Sequence, residues 1–148
     1  MKKLILILSI FIVNTALSQI VKNLISSHIK SEGTISIVPS SAAQPIMQNS
    51  TIESGSSVTF TCTSLELDNS SIKGGKITIA AGVTTLIIKG VVKIQATELI
   101  LENNSTTLTI DTQNPGSTLI LTYSDRITGT RTITIDDLDR NAVTILKK

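Results

Sequence analysis

The chain has 148 residues, 13 Lys or Arg against 11 Asp or Glu, and a single cysteine. An internal disulfide is therefore excluded, so packing and backbone pairing must hold the fold together. Aromatic residues make up only 2% of the chain, too few for a nucleic-acid surface that stacks bases on aromatic rings.

The first predicted element is an export signal. Lys2 and Lys3 precede an apolar run over residues 4–13, and the small residues Ala16 and Ser18 stand just before Gln19. The run is shorter than the roughly 20 residues that a membrane-spanning helix needs. It resembles the signal peptides of exported proteins of Gram-negative bacteria. We expect residues 1–18 to be cleaved and the protein to be secreted or extracytoplasmic, in the periplasm or at the cell surface, with no transmembrane span left.

Removal of the signal changes the charge of the chain. Without Lys2 and Lys3 the basic and acidic residues are equal at 11 each, which argues against nucleic acid as a partner. We divide the mature chain into a lead-in over residues 19–54 and a β-rich domain over residues 55–148. Within the lead-in, Val21, Ile25 and Ile29 recur every four residues and predict a short amphipathic helix over residues 20–29.

A recurrence along the second half of the chain is the most informative pattern. Ile77-Thr78-Ile79 and residues 84–88 (TTLII) return as Leu99-Ile100-Leu101 and residues 106–110 (TTLTI), with a looser third copy at residues 119–121 and 133–135. Short strands repeating every ~22 residues are typical of one rung of a parallel β-solenoid, whose rungs bury their apolar faces only against each other. Residues 55–68 supply an earlier rung and residues 142–146 a final strand.

The predicted fold is therefore all-β, a short parallel β-solenoid with rungs of about 22 residues, capped by the N-terminal helix. An antiparallel β-sandwich, whose strands follow each other at similar intervals, remains the alternative. In a solenoid the last rung has unpaired backbone groups, and no polar cap follows residues 142–146. The pattern therefore allows self-association through strand edges.

The chain has few side chains suited to catalysis or metal binding. His28 is the single histidine, expected at the surface, and Cys62 lies on the strand face of Val58 and Phe60, expected as a buried apolar residue. We predict no cofactor, no metal site and no catalytic set. The acidic cluster at residues 136–139 lacks the spacing of known calcium loops and fits a solvated turn. Lys73, Lys76, Lys89 and Lys93 form the main basic group, suited to protecting exposed strand edges.

Three threonines, Thr84, Thr106 and Thr128, follow each other at the spacing of the recurrence and would form a column on stacked rungs. Such an array resembles the ice-facing surface of solenoid antifreeze proteins, although the Thr-x-Thr triplets here do not repeat in register. Ordinary solvent-facing threonine on a β-surface is the simpler interpretation.

The sequence thus predicts an exported, non-catalytic protein with a structural, surface-associated or adhesive role. Two alternatives remain: a binding module for a surface ligand such as ice or glycan, and a small polysaccharide-acting enzyme that needs converging carboxylates.

The export signal can be tested directly. When the full chain is expressed in a Gram-negative host, we expect the exported protein to begin at Gln19, because Ala16 and Ser18 satisfy signal peptidase. Intact-mass spectrometry of the periplasmic fraction and the medium measures this. A full-length chain held in the inner membrane would contradict it, and an Ala16→Leu variant, which blocks the cleavage site, is the control.

Overall fold

The structure is a computed structural model that describes residues 19–21, 24–38, 46–102, 107–129, 131–137 and 142–148. Residues 1–18, the predicted export signal, lie outside the described residues. Fourteen strands in the described part of the chain form two parallel sheets, of eight and six strands. The larger sheet contains β1 (Gln19–Val21), β3 (His28–Ser31), β4 (Ile35–Ile37), β6 (Thr51–Phe60), β8 (Ser71–Ile79), β10 (Val91–Leu101), β12 (Thr118–Thr128) and β14 (Val143–Lys147). The smaller sheet contains β2 (Leu24–Ile25), β5 (Ile46–Gln48), β7 (Ser64–Asp68), β9 (Thr85–Lys89), β11 (Leu108–Thr112) and β13 (Ile133–Asp137).

The chain alternates between the two sheets as it winds. From β4 onward each strand pairs with the strand two places later, and every pair of described strands is parallel. The molecule is therefore a parallel β-solenoid of about five turns, as the recurrence in the sequence predicted. The alternative, an antiparallel β-sandwich, is wrong. Strands connected by hairpins would pair antiparallel, whereas every described strand pair is parallel.

The first half of the predicted repeat is confirmed in register. Ile77 pairs with Leu99 and Ile79 with Leu101, which is the spacing of the recurrence. Elsewhere the rung length differs. The step from Ile52 to its partner Ile72 is shorter, and the step from Val92 to its partner Leu119 is longer. The recurrence therefore describes one rung, while corners and bulges change the length of the others.

The second half of the repeat is out of register by two residues. Leu86 pairs with Ile110, not with Leu108 as the TTLII and TTLTI match implied. From Ile79 to Leu86 the chain advances seven residues, whereas from Leu101, the partner of Ile79, to Ile110, the partner of Leu86, it advances nine. This difference of two shifts the pairing. Because side chains alternate with a period of two, such a shift keeps apolar residues facing inward and leaves the sequence match intact.

The third copy is correct only in its second part. Ile133 and Ile135 pair with Leu108 and Ile110. Leu119, however, pairs with Val92 at the start of β10, whereas Leu99 pairs with Ile127. The apolar run at residues 119–121 therefore belongs to the first half of a long strand, which sequence spacing alone did not separate from the second half.

The core consists of ladders of inward-facing side chains, one side chain from each rung. These side chains are almost wholly removed from solvent in the middle rungs. One ladder runs Ile35, Val58, Ile77, Leu99; a second runs Ile52, Ile72, Ile94, Leu121; the third, in the smaller sheet, runs Leu65, Leu86, Ile110. Each ladder buries its apolar area against adjacent rungs and against the facing sheet, so successive turns stabilise each other.

The predicted N-terminal helix is wrong. The described residues of that segment form β1, β2 and the start of β3, which pair with β4, β5 and β6. The four-residue spacing of Val21, Ile25 and Ile29 does not mark one face, since Leu24 is buried while Ile25 is 63% exposed. Backbone pairing with the next rung overrides the helical pattern. The boundary expected between residues 54 and 55 falls inside β6, and the same two sheets continue on both sides.

A stacked corner joins the smaller sheet to the larger one. Ser26, Asn49, Asn69 and Gly90 each follow a strand of the smaller sheet with a positive φ of 44° to 60°, the conformation that asparagine and glycine tolerate best. Serine hydroxyls connect neighbouring corners: Ser50 N donates to Ser70 Oγ over 3.2 Å. The same hydroxyls donate to carbonyl oxygens of their own turn, as Ser50 Oγ does to Gln48 O. The corner polar groups are thereby satisfied both within a turn and between rungs.

The ladder arrangement predicts a contrast between adjacent residues of β8. We expect Ile77→Ala to lower the free energy of unfolding by about 2–5 kcal/mol, because it leaves a cavity between two rungs. Thr78→Ala, on the outward face of the same strand, is the control and should cost about 0.5 kcal/mol or less. Urea unfolding followed by circular dichroism measures both. Equal effects of the two substitutions would contradict the inward ladder.

Candidate interaction surfaces

Of the three threonines expected to form a column, the two that the structure describes do not share one face. Thr84 directly precedes β9 of the smaller sheet, and Thr128 ends β12 of the larger sheet. Thr106 lies outside the described residues. The two described threonines are therefore on different sheets, because the spacing of the recurrence does not hold beyond β10.

The register forms a different hydroxyl column, on the smaller sheet. Ser64, Thr85, Thr109 and Thr134 are successive partners. The adjacent outward column contains Glu66, Ile87 and Asp111, so charges interrupt the face beside the threonines. The sequence did not predict this column, because it depends on two extra residues between the paired positions Leu101 and Ile110. The Thr-Thr pair at residues 84–85 was its only sequence signal. A single hydroxyl column beside charged side chains does not form the flat threonine surface that the resemblance to antifreeze proteins implied.

The single histidine and the single cysteine lie in different environments. His28 is exposed on β3, as predicted, and Cys62 is fully buried, also as predicted. Burial raises the pKa of the Cys62 thiol to about 11, partly offset by a backbone hydrogen bond. The thiol therefore stays protonated at neutral pH, and the reactive thiolate form is disfavoured.

The acidic cluster is only partly described. Asp136 and Asp137 end β13, whereas Leu138 and Asp139 lie outside the described residues. Within the described part of the chain, no group of three His, Cys, Asp or Glu side chains is placed to hold a metal ion.

An ion-pair cluster crosses three strands of the larger sheet. Glu98 on β10 accepts a hydrogen bond from Arg126 Nε over 2.7 Å, and Lys76 Nζ lies 3.6 Å from its other carboxylate oxygen. The hydrogen bond from Arg126, followed by the charges of Arg126 and Lys76, lowers the pKa of Glu98 although partial desolvation opposes this. A carboxylate held ionised in this way is poorly suited to act as a general acid.

A concave polar groove lies beside this cluster, at the bends of β8, β10 and β12. Its volume is about 100 Å³, and its lining includes Lys73, Gln95, Thr97, Tyr123 and Lys148. The bends coincide with bulges: the pairing shifts register between Ala96 and Glu98, and between Ser54 and Ser57 on β6. A β-bulge bends its strand, and the small buried residues Gly74 and Ala96 allow the sheet to fold inward there.

The last rung exposes residues that belong to the core ladders. Ile127, Ile135 and Ile145 continue the three inward ladders, yet they are 39%, 45% and 38% exposed. Their counterparts one rung earlier, Leu99, Ile110 and Leu121, are at most 3% exposed. Among the described strands, none pairs with the outer edges of β13 and β14. This end of the stack is an apolar surface bordered by unpaired strand edges.

The chain matches no protein-family model, no curated protein and no solved structure. Among the described residues, no helix is long and apolar enough to cross a membrane. The surfaces of the solenoid are therefore the basis for inferring a function.

The Glu98 cluster predicts a pH dependence of stability. Because its pKa is lowered from 4.5, the stabilisation by Arg126 and Lys76 is complete above that value and is lost as the pH falls through the lowered pKa. We expect Glu98→Gln to lower the urea midpoint at pH 7, and the difference from the unmodified protein to disappear in acid. Glu32→Gln, at an exposed residue outside the cluster, is the control. If the difference in urea midpoint between Glu98→Gln and the unmodified protein stayed the same down to about pH 2, it would not originate from the ion pairs of Glu98.

Proposed function

We propose that this protein is an exported, non-catalytic structural component that joins end to end with further copies of itself at a surface outside the cytoplasm. The observation that supports this proposal is the exposure of Ile127, Ile135 and Ile145 at the last rung. The occupant we propose for this end is the first rung of a second copy.

Apolar side chains are the first contribution to the proposed association. Three inward ladders end at residues that no further described rung covers. Each terminal isoleucine has the position of a core residue, and covering it would bury side-chain area that rungs in the middle of the stack already bury. Full burial of such a side chain stabilises by about 1.5–3 kcal/mol relative to exposure. Isolated exposed apolar residues are ordinary, but these three all lie at the ends of core ladders at one end of the stack.

Unpaired edges of parallel strands are the second contribution to the proposed association. β14 pairs with β12 along one edge only, and β3 at the opposite end of the larger sheet pairs with β6 along one edge only. Joining β14 of one copy to β3 of the next would repeat the parallel pairing between internal rungs. An interface of two different ends is heterologous, so it propagates into a filament instead of closing a dimer.

The register along β14 and β3 is compatible with pairing. In the larger sheet one ladder runs from Ile29 through Ile52, Ile72, Ile94 and Leu121 to Ile145. Continuing it would place Ile145 of one copy against Ile29 of the next. The flanking residues would then pair Thr144 with His28 and Leu146 with Lys30, so the new strand pair sets no like charges opposite each other.

The assembly is tested on residues 19–148 by size-exclusion chromatography with light scattering. At about 100 μM we expect species larger than a monomer, because exposed ladder ends and strand edges favour association. Ile145→Lys should shift the protein to the monomer by placing a charge in the apolar end. Val91→Lys, at an exposed apolar residue away from the end, is the matched control and should leave the assembly unchanged.

A strictly monomeric unmodified protein at that concentration would overturn the proposal. So would equal disruption by Val91→Lys, since that result would point to a loss of solubility or to a different interface. Urea unfolding of both variants checks that each remains folded.

A further inference from the structure

We propose that the groove on the bent part of the larger sheet binds an acidic polysaccharide, holding one anionic sugar unit between Lys73 and Lys148. This inference is independent of the end-to-end assembly, because the groove runs along the side of the stack. It rests on the lining of the groove, its charge and its dimensions.

The two lysines of the groove are available for an anion. The ion pairs of the described side chains involve Lys76, Lys89 and Arg126, and neither Lys73 nor Lys148 forms one with a described residue. Glu53, the register partner of Lys73, lies on β6, on the side of β8 away from Gln95, and does not line the groove. No carboxylate side chain is part of the described lining, so its two charged side chains, Lys73 and Lys148, are both positive.

The remaining lining suits a hydroxylated ligand. Gln95, Thr97 and Ser124 supply hydrogen-bond donors and acceptors to the groove, and all three are exposed. Tyr123, the only tyrosine of the chain, also lines it. An aromatic side chain with a polar tip fits a ligand that has both apolar C–H surface and hydroxyl groups. The backbone of Lys148 is fixed beside this residue, since Lys148 N donates to Tyr123 O over 2.9 Å.

The dimensions favour part of a polymer over a whole small molecule. A volume of about 100 Å³ is well below the roughly 300–1,000 Å³ of sites that enclose drug-sized ligands. The groove crosses β8, β10 and β12 and ends beyond β14, so its axis follows the stack. Strands about 4.8 Å apart make this path about 14 Å long. An extended chain can place one charged unit in the groove and continue along the neighbouring rungs.

The composition of the lining favours polysaccharide over nucleic acid or membrane. Nucleic-acid grooves stack successive bases on several aromatic side chains, whereas the described lining of this groove has one. A membrane-binding face would present large apolar side chains, and none of the most exposed ones, such as Val91 and Leu146, lines the groove.

The test is isothermal titration calorimetry of the exported protein at about 50 mM salt, where surface charge is weakly screened. The probes are polygalacturonate and heparin as acidic polysaccharides, dextran as a neutral one, and a single-stranded DNA oligonucleotide. We expect binding of at least one acidic polysaccharide, with dextran and the oligonucleotide at least tenfold weaker. No binding of either acidic probe, or equal binding of the oligonucleotide, would overturn the proposal.

Matched variants locate the site. Lys73→Gln should weaken binding about fivefold, the effect of one exposed charge pair. Lys93→Gln makes the same charge change on the same sheet outside the groove, and it should change binding less than twofold. Equal effects of the two lysine variants would show binding to general surface charge and overturn the site.

Variants of Tyr123 distinguish a sugar-binding site from a site that binds only anions. Tyr123→Leu should weaken the acidic polysaccharide at least threefold while Tyr123→Phe, which keeps the ring, stays within twofold. If Tyr123→Leu has no effect, or if inorganic sulfate at equal ionic strength displaces the polymer completely, the groove is a bare anion site and the sugar assignment is overturned. Because β14 and the end rung are unchanged in these variants, failure of this test does not affect the assembly proposal.

Discussion

Parallel backbone pairing between successive rungs is the interaction on which the rest of this structure depends. Each strand from β4 onward finds its partner one turn later, so the inward ladders, the serine and asparagine corners and the outward columns all follow from one register. A chain with one cysteine cannot form an internal disulfide. Backbone pairing and the apolar ladders therefore hold the fold together. A change in corner length is tolerated as long as it preserves the inward face.

The same mode of construction explains why the two ends differ from the middle. An internal ladder residue such as Ile77 is covered from both sides, whereas Ile145 has a neighbour on one side only and stays 38% exposed. A solenoid has no closure of its own, unlike a barrel, so its ends require a cap, a partner or another copy. The proposed end-to-end assembly is the solution that repeats the internal geometry.

Local departures from regular pairing create the side surface of the molecule. Bulges bend the long strands near Ser54 and Ala96, and the bend brings Lys73, Gln95 and Lys148 to one groove although they are far apart in sequence. Beside it, Glu98 is neutralised by Lys76 and Arg126. The groove therefore retains positive charge, although residues 19–148 contain equal numbers of basic and acidic residues.

The sequence by itself determined the all-β class and the burial of Cys62, because a regular recurrence of β-branched residues and an alternation of period two are local properties. It favoured parallel stacking over an antiparallel sandwich, and the structure decided between the two. The sequence also indicated Ile77 and Leu99 as rung partners. Only the tertiary structure decided the register beyond β10, since two extra residues between the paired positions of β10 and β11 preserve the pattern while moving Leu86 onto Ile110. It likewise replaced the N-terminal helix with strands and separated Thr84 from Thr128. Pairing partners, corner lengths and bulges depend on contacts between distant segments, and a spacing rule read along the chain does not contain them.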